Sequence, residues 1–425
     1  MTGRHAGLLT FMDRATGPIF IRVWCSAHQL DLIMADVYGR LLQNDFYSVL
    51  TALIGYQRRQ QNLVAAMKTK CPKVALTRWM SMIKVMTWVK KHRIAVQAHL
   101  DDKLPPCRPS AAWWVLMMAV HSFGKEASLV FTCIQGMTTL VSQQVVELSN
   151  LSQTFCRLVG CKVPVLQSEL QSMAGGGVVT VGSFAARIAD VKQFVCGHGS
   201  FVSSKLDEIP TENGALHHAL QLIGAAFLSA AAQLTSITVE RNAGNEQAST
   251  SDQLPPVMPH ELVKHSRSQF CSTVCKHILR LQAANFAPQQ IEEIEEEQGE
   301  LIRCYHAEDS LRLAMDACDH KTSFRDGWSL LGLRVPALFE FAGGLATVVP
   351  GTATVEADFP RLRREKDIFR QNLSDFGLQC VLHAQQYKDL LKIRAYRLMS
   401  LLFLWAWYGW HFDATIKYLK MPLLA

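Results

Sequence analysis

The stretch "WCSAHQLDLIMADVYGRL" (24–41) contains a change of apolar pattern, and that change decides the fold predicted for this chain. The run before it, "PIFIRVW" (18–24), is β-branched and aromatic, which predicts a buried strand. From Ala27 the apolar residues recur at steps of three and four, through Leu30 and Met34 to Leu41. This spacing predicts an amphipathic helix, so we expect the chain to turn from strand to helix at Cys25.

The rest of the chain is dominated by helical patterns, and strand signals are scarce. A polar stretch at 240–261 predicts a flexible loop, and the run at 341–353 predicts a loop or a short extended segment. One strand cannot form a sheet by itself, so the predicted fold class is predominantly α with a small α/β part. Helices are predicted over 46–70, 78–100, 111–235 with a break at "GGG" (175–177), 262–283, 291–300 and from about 355.

Composition restricts the class of protein. The chain has 425 residues, of which 49% are hydrophobic, so it can form two or three units with sizeable cores. Its 12 cysteines show no disulfide-like rhythm and no secretory signal is recognised, so we expect reduced thiols in an intracellular protein. The most apolar run, 398–410, is too short to span a bilayer comfortably, so no membrane partner is expected.

Positive charge is concentrated in the first quarter of the chain. The formal net charge of the whole chain is +7, but residues 46–100 contain ten Lys or Arg and no Asp or Glu. Such a region is typical of a surface that faces phosphate, and a solvated basic face with no partner is an equally good interpretation. The ten residues, all candidate DNA contacts, are Arg58, Arg59, Lys68, Lys70, Lys73, Arg78, Lys84, Lys90, Lys91 and Arg93.

Several short motifs are weak when taken singly. Cys25 and His28 form a C-x2-H pair, but no second pair has the spacing that a zinc finger requires, and no metal site is predicted. Cys25 follows a strand and precedes a helix, which suits a nucleophile, although a buried structural cysteine is more common. Arg78 and Trp79, in "TRWMS", can bind phosphate and stack on a base, or Trp79 can simply pack. Taken alone, Glu356 is an ordinary carboxylate in the first turn of a predicted helix, where the helix dipole stabilises it.

In their order along the chain, these motifs resemble those of the hAT superfamily of DNA transposases. "WCSAHQLDL" (24–32) resembles the (C/D)xxH motif of that family, and "TRWMS" (77–81) resembles its RW motif. "GLATVVPGTATVEADF" (344–359), with "RQNLSDFGLQCVLHAQQYKDL" (370–390) after it, is similar to the C-terminal region of the family, which includes a dimerisation segment. The helical stretch between them corresponds to the all-α insertion domain of the family.

The resemblance implies an RNase H-like core, in which an Asp-Asp-Glu triad holds Mg²⁺ or Mn²⁺ for DNA strand cleavage and transfer. Glu356 corresponds to the third acid and His28 to the motif histidine. Arg78 and Trp79 correspond to the RW pair, whose tryptophan holds an extruded base. The two aspartates of the family precede the C-x2-H motif, and Asp13, Asp31 and Asp36 do not match them.

We therefore expect an incomplete RNase H-like core interrupted by a large all-α insertion domain, in a transposase-derived chain without the first two catalytic acids or the BED zinc finger. The resemblance implies a nuclear protein that binds DNA and forms a homo-oligomer, with no cofactor in this chain and no small-molecule substrate. A single carboxylate cannot hold two divalent cations, so no cleavage is expected. The expected parts are a partial core at 1–105, the insertion at 106–334, a return to the core with the dimerisation-like segment at 335–392, and an unassigned tail at 393–425.

Two alternatives remain open on the sequence alone. The chain is the C-terminal part of an active, metal-dependent transposase if its start is misassigned, in which case an in-frame aspartate precedes Met1. Alternatively, it is a helical interaction or scaffold protein without a DNA role. The codons upstream test the first alternative, and a DNA titration at low salt tests the second.

Overall fold

The helices and strands below are those of a computed structural model. It describes residues 26–41, 43–74, 79–136, 139–161, 177–210, 214–243, 256–283 and 285–346, which belong to a single compact unit. The strand predicted at 18–24, Arg78, Glu356, most of 335–392 and the tail 393–425 lie outside the described residues. Within the described residues the predicted fold class is confirmed at its coarser level, because the chain is predominantly α with one small sheet.

The first seven helices include the predicted basic region. Their bounds are α1 Ser26–Leu41, α2 Gln43–Arg59, α3 Gln61–Met67, α4 Trp79–Lys91, α5 Arg93–Lys103, α6 Ala111–Ile134 and α7 Val141–Leu158. After a two-stranded sheet, β1 Val178–Val181 and β2 Phe184–Arg187, come α8 Ile188–Cys196, α9 Ser200–Asp207 and α10 Ala215–Ala243. The remaining described helices are α11 Pro259–Leu262, α12 Arg267–Lys276, α13 Ile278–Ala283, α14 Pro288–Ala307, α15 Asp309–Asp316, α16 Phe324–Ser329 and α17 Pro336–Ala346.

Helix α1 follows the spacing that predicted it. Leu30, Met34 and Val37 are buried, as is Tyr38, so one face of the helix is in the core. The predicted helix at 46–70 is instead α2 and α3, separated at Gln60, whose backbone is extended. The predicted helix at 78–100 is likewise divided at His92 into α4 and α5. The helical character of both ranges is therefore confirmed, but the breaks within them were not predicted.

The sheet corrects the interpretation of 111–235 as almost wholly helical. Strands β1 and β2 pair antiparallel, with Val178 opposite Arg187 and Val181 opposite Phe184. Gly182, in the two-residue turn, has φ +57°, which a glycine adopts without steric cost in a tight hairpin turn. The signal was present in the sequence, because a β-branched run is followed by Gly-Ser and another apolar run.

Two loop predictions also change. Helix α10 extends to Ala243 and α11 begins at Pro259, so both ends of the polar stretch at 240–261 are helical, while 244–255 lies outside the described residues. Helix α17 extends to Ala346, so the loop predicted from residue 341 is wrong over 341–346. A Gly-Gly pair near a helix end favours a loop by its composition, but buried Leu338 and Phe341 anchor α17.

The helices enclose two hydrophobic cores. The first core contains side chains from α1 to α10 and from the hairpin, and α10 packs against α7 and α1 at its centre. The second core contains side chains from α11 to α17. Gln143 on α7 connects the two, since its Nε2 donates to the carbonyl oxygen of Thr322 at 2.7 Å.

One segment within α10, Ala215–Ser236, is long and apolar enough by length and composition to cross a membrane. Half of it is buried inside the protein. Core helices commonly have the same properties, so this feature is weak support for a membrane span.

Candidate nucleic-acid interface

The loop between α3 and α4 holds three lysines at the surface. Lys68, Lys70 and Lys73 are exposed there, and Lys68 ends α3 in the left-handed conformation, with φ 52°. Between them, Cys71 is only 1% exposed and is packed in the first core. Arg58, at the end of α2, donates a hydrogen bond from its guanidinium to the carbonyl oxygen of Cys71. The loop is therefore fixed to the core at Cys71.

Helix α4 lies beside this loop and contributes two further lysines. The Nε1 of Trp88 donates to the Oγ1 of Thr69 at 3.4 Å, so the centre of α4 contacts the loop. Lys84 and Lys91 are exposed and lie four residues before and three residues after Trp88. Residues at those spacings share one side of a helix, so both lysines lie on the side of α4 that meets the loop.

These five lysines form what we call the basic face: Lys68, Lys70, Lys73, Lys84 and Lys91. None of them forms an ion pair with a described carboxylate. The first acids after the acid-free stretch are instead occupied, because Asp101 pairs with Arg108 at 2.6 Å and Asp102 pairs with Lys103 at 3.1 Å. Within the described residues, the charges of the basic face are therefore available to an external anion.

The other candidate cations of this region have different surroundings. Arg58 is held by Cys71 as described, and Arg59 is exposed at the end of α2. Arg93 is half-buried, and its guanidinium carbon lies 4.1 Å from the ring centroid of Phe201, which is a cation–π contact. The number of charges along the sequence did not distinguish these three arginines from the five lysines.

A buried histidine lies where α4 packs on α6. His121 on α6 is 5% exposed, and its Nε2 lies 3.1 Å from the Oγ1 of Thr87. Burial, together with the charges of Lys90, Lys125 and His198, lowers the pKa of His121 to about 4. Lys90 follows Trp88 by two residues, so it lies on the side of α4 away from the basic face. Lys125 was not among the sequence candidates, because it lies outside the acid-free stretch at 46–100.

The RW motif contacts the helix that carries the C-x2-H motif. Trp79 begins α4 and is 6% exposed. Its Nε1 donates to the Oδ1 of Asp31 on α1 at 2.6 Å, and its ring lies near those of Tyr38 and Phe131. Two motifs about fifty residues apart are therefore joined in the first core. The indole is enclosed in this structure, and its contact with an extruded base stays a prediction.

The histidine and the two aspartates of α1 have different surroundings. His28 is exposed on the first turn of α1, whereas Asp36 accepts a hydrogen bond from the Nε2 of Gln233 at 2.8 Å. Asp31 and Asp36 thus each join α1 to another helix, and their failure to match the catalytic acids stays a prediction. Cys25, Arg78 and Glu356 lie outside the described residues.

One helix of the second core carries two cysteines and ends at a histidine. Cys271 and Cys275 are on α12, and His277 caps its C-terminal end. Among the residues that the structure describes, no three or more His, Cys, Asp or Glu side chains are grouped to hold a metal ion. The feature of this region with a clear chemical capacity is the basic face, whose ammonium groups can neutralise phosphates.

Comparison with known proteins does not extend this description. No protein-family model matches the chain, and no curated protein is similar to it.

Proposed function

We propose that this chain binds DNA through the basic face. The observation that carries the proposal is the set of five exposed lysines without described carboxylate partners, on a loop and a helix that are both fixed to the first core. A surface that is already ordered loses little conformational entropy when it binds, so its charges contribute more fully to affinity.

The chemistry of these residues favours recognition of the phosphate backbone over recognition of bases. Lysine is a flexible point charge without the planar fork that reads guanine or forms two parallel bonds with a phosphate. Binding of this kind is driven by the release of counterions from DNA, depends strongly on salt, and has dissociation constants of about 10⁻⁴ to 10⁻⁶ M at physiological salt. We therefore propose DNA binding with little sequence preference.

We also propose that the chain derives from a transposase of the hAT superfamily and retains part of an RNase H-like core. The ordered C-x2-H, RW and C-terminal motifs support this proposal. The hydrogen bond between Asp31 and Trp79 adds to it, because the helices that carry the first two motifs are neighbours. In this proposal the RW tryptophan stabilises the core, and the lysines of α4 that follow it face DNA.

Self-association through 335–392 is part of the same proposal, and one feature of the described residues favours it. Phe339, on α17 within this segment, is 47% exposed, and Leu333, two residues before the segment, is 92% exposed. An exposed apolar patch that includes such side chains is typical of interaction sites. We expect Phe339→Asp to shift the protein towards monomer in sedimentation equilibrium, and an unchanged mass would contradict this part of the proposal.

The DNA-binding proposal is tested by fluorescence anisotropy of a labelled 20-base-pair duplex titrated with the full chain. We expect saturable binding at low salt that weakens steeply as salt is raised. Absence of binding at low salt would overturn the proposal and favour the helical scaffold. Repetition with Mg²⁺ or Mn²⁺, followed by gel analysis of the duplex, tests the active transposase, since strand cleavage is its distinguishing product.

A further inference from the structure

The C-terminal end of α7 has two cysteines in one tight capping motif. The backbone N–H of Gly160 donates to the carbonyl oxygen of Arg157 at 3.3 Å, and the N–H of Cys161 donates to that of Cys156 at 2.8 Å. Gly160 has φ +63°, the left-handed conformation that this turn requires. This pair of hydrogen bonds defines a Schellman motif, in which Cys156 and Cys161 occupy the two positions whose side chains usually make an apolar contact.

That contact is here a contact between two thiols. The thiols of Cys156 and Cys161 are within hydrogen-bonding reach of each other, and the backbone N–H of Ala185 donates to the sulfur of Cys161. Both cysteines are only partly buried, so small reagents can reach them. The 2.8 Å hydrogen bond from the N–H of Cys161 to the carbonyl oxygen of Cys156 draws the two residues together at the turn, and a disulfide requires such an approach, with Cα atoms roughly 4.4 to 6.8 Å apart.

The two sulfurs have different chemical characters. The hydrogen bond from Cys156, with that from Ala185, lowers the pKa of the Cys161 thiol despite its burial. The same bond raises the pKa of Cys156, as does its burial. At Cys71, by contrast, burial is the dominant cause and raises the pKa of the thiol to about 12. Since the thiolate is the nucleophile, Cys161 is suited to attack and Cys156 to follow.

We propose that Cys156 and Cys161 form a redox-active dithiol, a modification site that hydroperoxides convert to an intramolecular disulfide. The thiolate of Cys161 attacks one oxygen of the peroxide, the O–O bond breaks, and a sulfenic acid forms with release of hydroxide. The sulfur of Cys156 then attacks the sulfenic sulfur, an S–S bond forms, and the hydroxyl leaves as water after taking the Cys156 proton. In total, two thiols and one hydrogen peroxide give one disulfide and two waters.

The test uses the full chain with one equivalent of hydrogen peroxide, followed by alkylation of free thiols and peptide mass spectrometry. We expect a linked peptide that contains both Cys156 and Cys161, two hydrogen masses lighter than the reduced pair. In Cys156→Ser, we expect a sulfenic acid at Cys161 that dimedone traps. In Cys161→Ser, we expect no linked peptide, and we expect Cys156 to be oxidised about tenfold more slowly than Cys161 is in Cys156→Ser, because burial still raises the pKa of the Cys156 thiol.

The matched control is Cys271→Ser with Cys275→Ser, a pair four residues apart on α12, which should leave the linked peptide unchanged. Circular dichroism confirms that each variant is folded before oxidation. Recovery of Cys156 and Cys161 in alkylated form while Cys275 is oxidised would overturn the proposal. A disulfide from either residue to a different cysteine, or between two molecules, would overturn it as well.

Discussion

The most informative perturbation of the basic face is Lys70→Gln with Lys73→Gln. Both side chains are exposed on the loop between α3 and α4, so their removal leaves Cys71 buried and Arg58 bonded to it. If each of the five lysines neutralises one phosphate, the plot of log affinity against log salt has a slope of about −4.5, since each contact contributes about −0.9. Removal of two contacts reduces the slope to about −2.7.

This difference is large enough to measure by anisotropy titration. Between about 50 and 200 mM salt, the slopes correspond to a loss of affinity of about 500-fold for the unmodified chain and about 40-fold for the variant. The matched control is Lys264→Gln with Arg325→Gln, which removes the same charge from exposed positions on or near the helices of the second core. Its slope should equal that of the unmodified chain.

The control separates a local contact from a general effect of net charge. Equal slopes for the two double variants would refute the assignment of DNA contacts to the basic face. A slope near zero in the unmodified chain would refute phosphate binding altogether.

Three further predictions concern the scaffold that supports this face. Trp79→Phe removes the donor to Asp31 and should cost about 1 to 3 kcal/mol in urea unfolding, whereas an unchanged midpoint would deny the hydrogen bond a structural role. The pKa of His121, lowered to about 4, means that the unfolded chain binds a proton more readily, so stability falls as the pH drops from about 6.5 to about 4. With screening by solvent taken into account, the loss of unfolding free energy over this pH range is about 1 to 2 kcal/mol. A His121→Gln variant that shows the same pH profile would contradict the assignment. Gly124→Ala places a methyl group against Ile83 in the core and should destabilise the fold by about 1 to 3 kcal/mol. Gly39→Ala, with open space around the added methyl group, should instead stabilise the fold by about 0.5 to 1 kcal/mol. Equal effects of the two substitutions in urea unfolding would argue against this packing.

The helices were largely predictable from sequence because apolar spacing carries the information that determines them. The buried face of α1, with Leu30 and Met34, is visible in the sequence. The hairpin was missed because its strands are only four residues long, and helical patterns surround it. Short strands are defined by pairing across a turn, which periodicity along the chain does not record.

The candidate site was predictable as a region but not residue by residue. Charge count identified the basic stretch, yet it could not distinguish Arg58, which is bonded to a carbonyl, from exposed Lys70. It could not reveal that Trp79 is enclosed, or that Lys90 and Lys125 both act on buried His121, because both depend on the packing of α1 and α6 against α4. Tertiary contacts decide which members of a charged stretch are free to bind.

The central claim, that the basic face contacts DNA, is tested most directly by lysine footprinting. The full chain is acetylated with an amine-reactive ester at low salt, with and without duplex DNA, and modification is measured at each lysine by mass spectrometry. We predict that DNA protects Lys70, Lys73 and Lys91 and leaves Lys264 as reactive as before. Equal modification of all four lysines in the presence of DNA, or protection of Lys264 alone, would contradict the account.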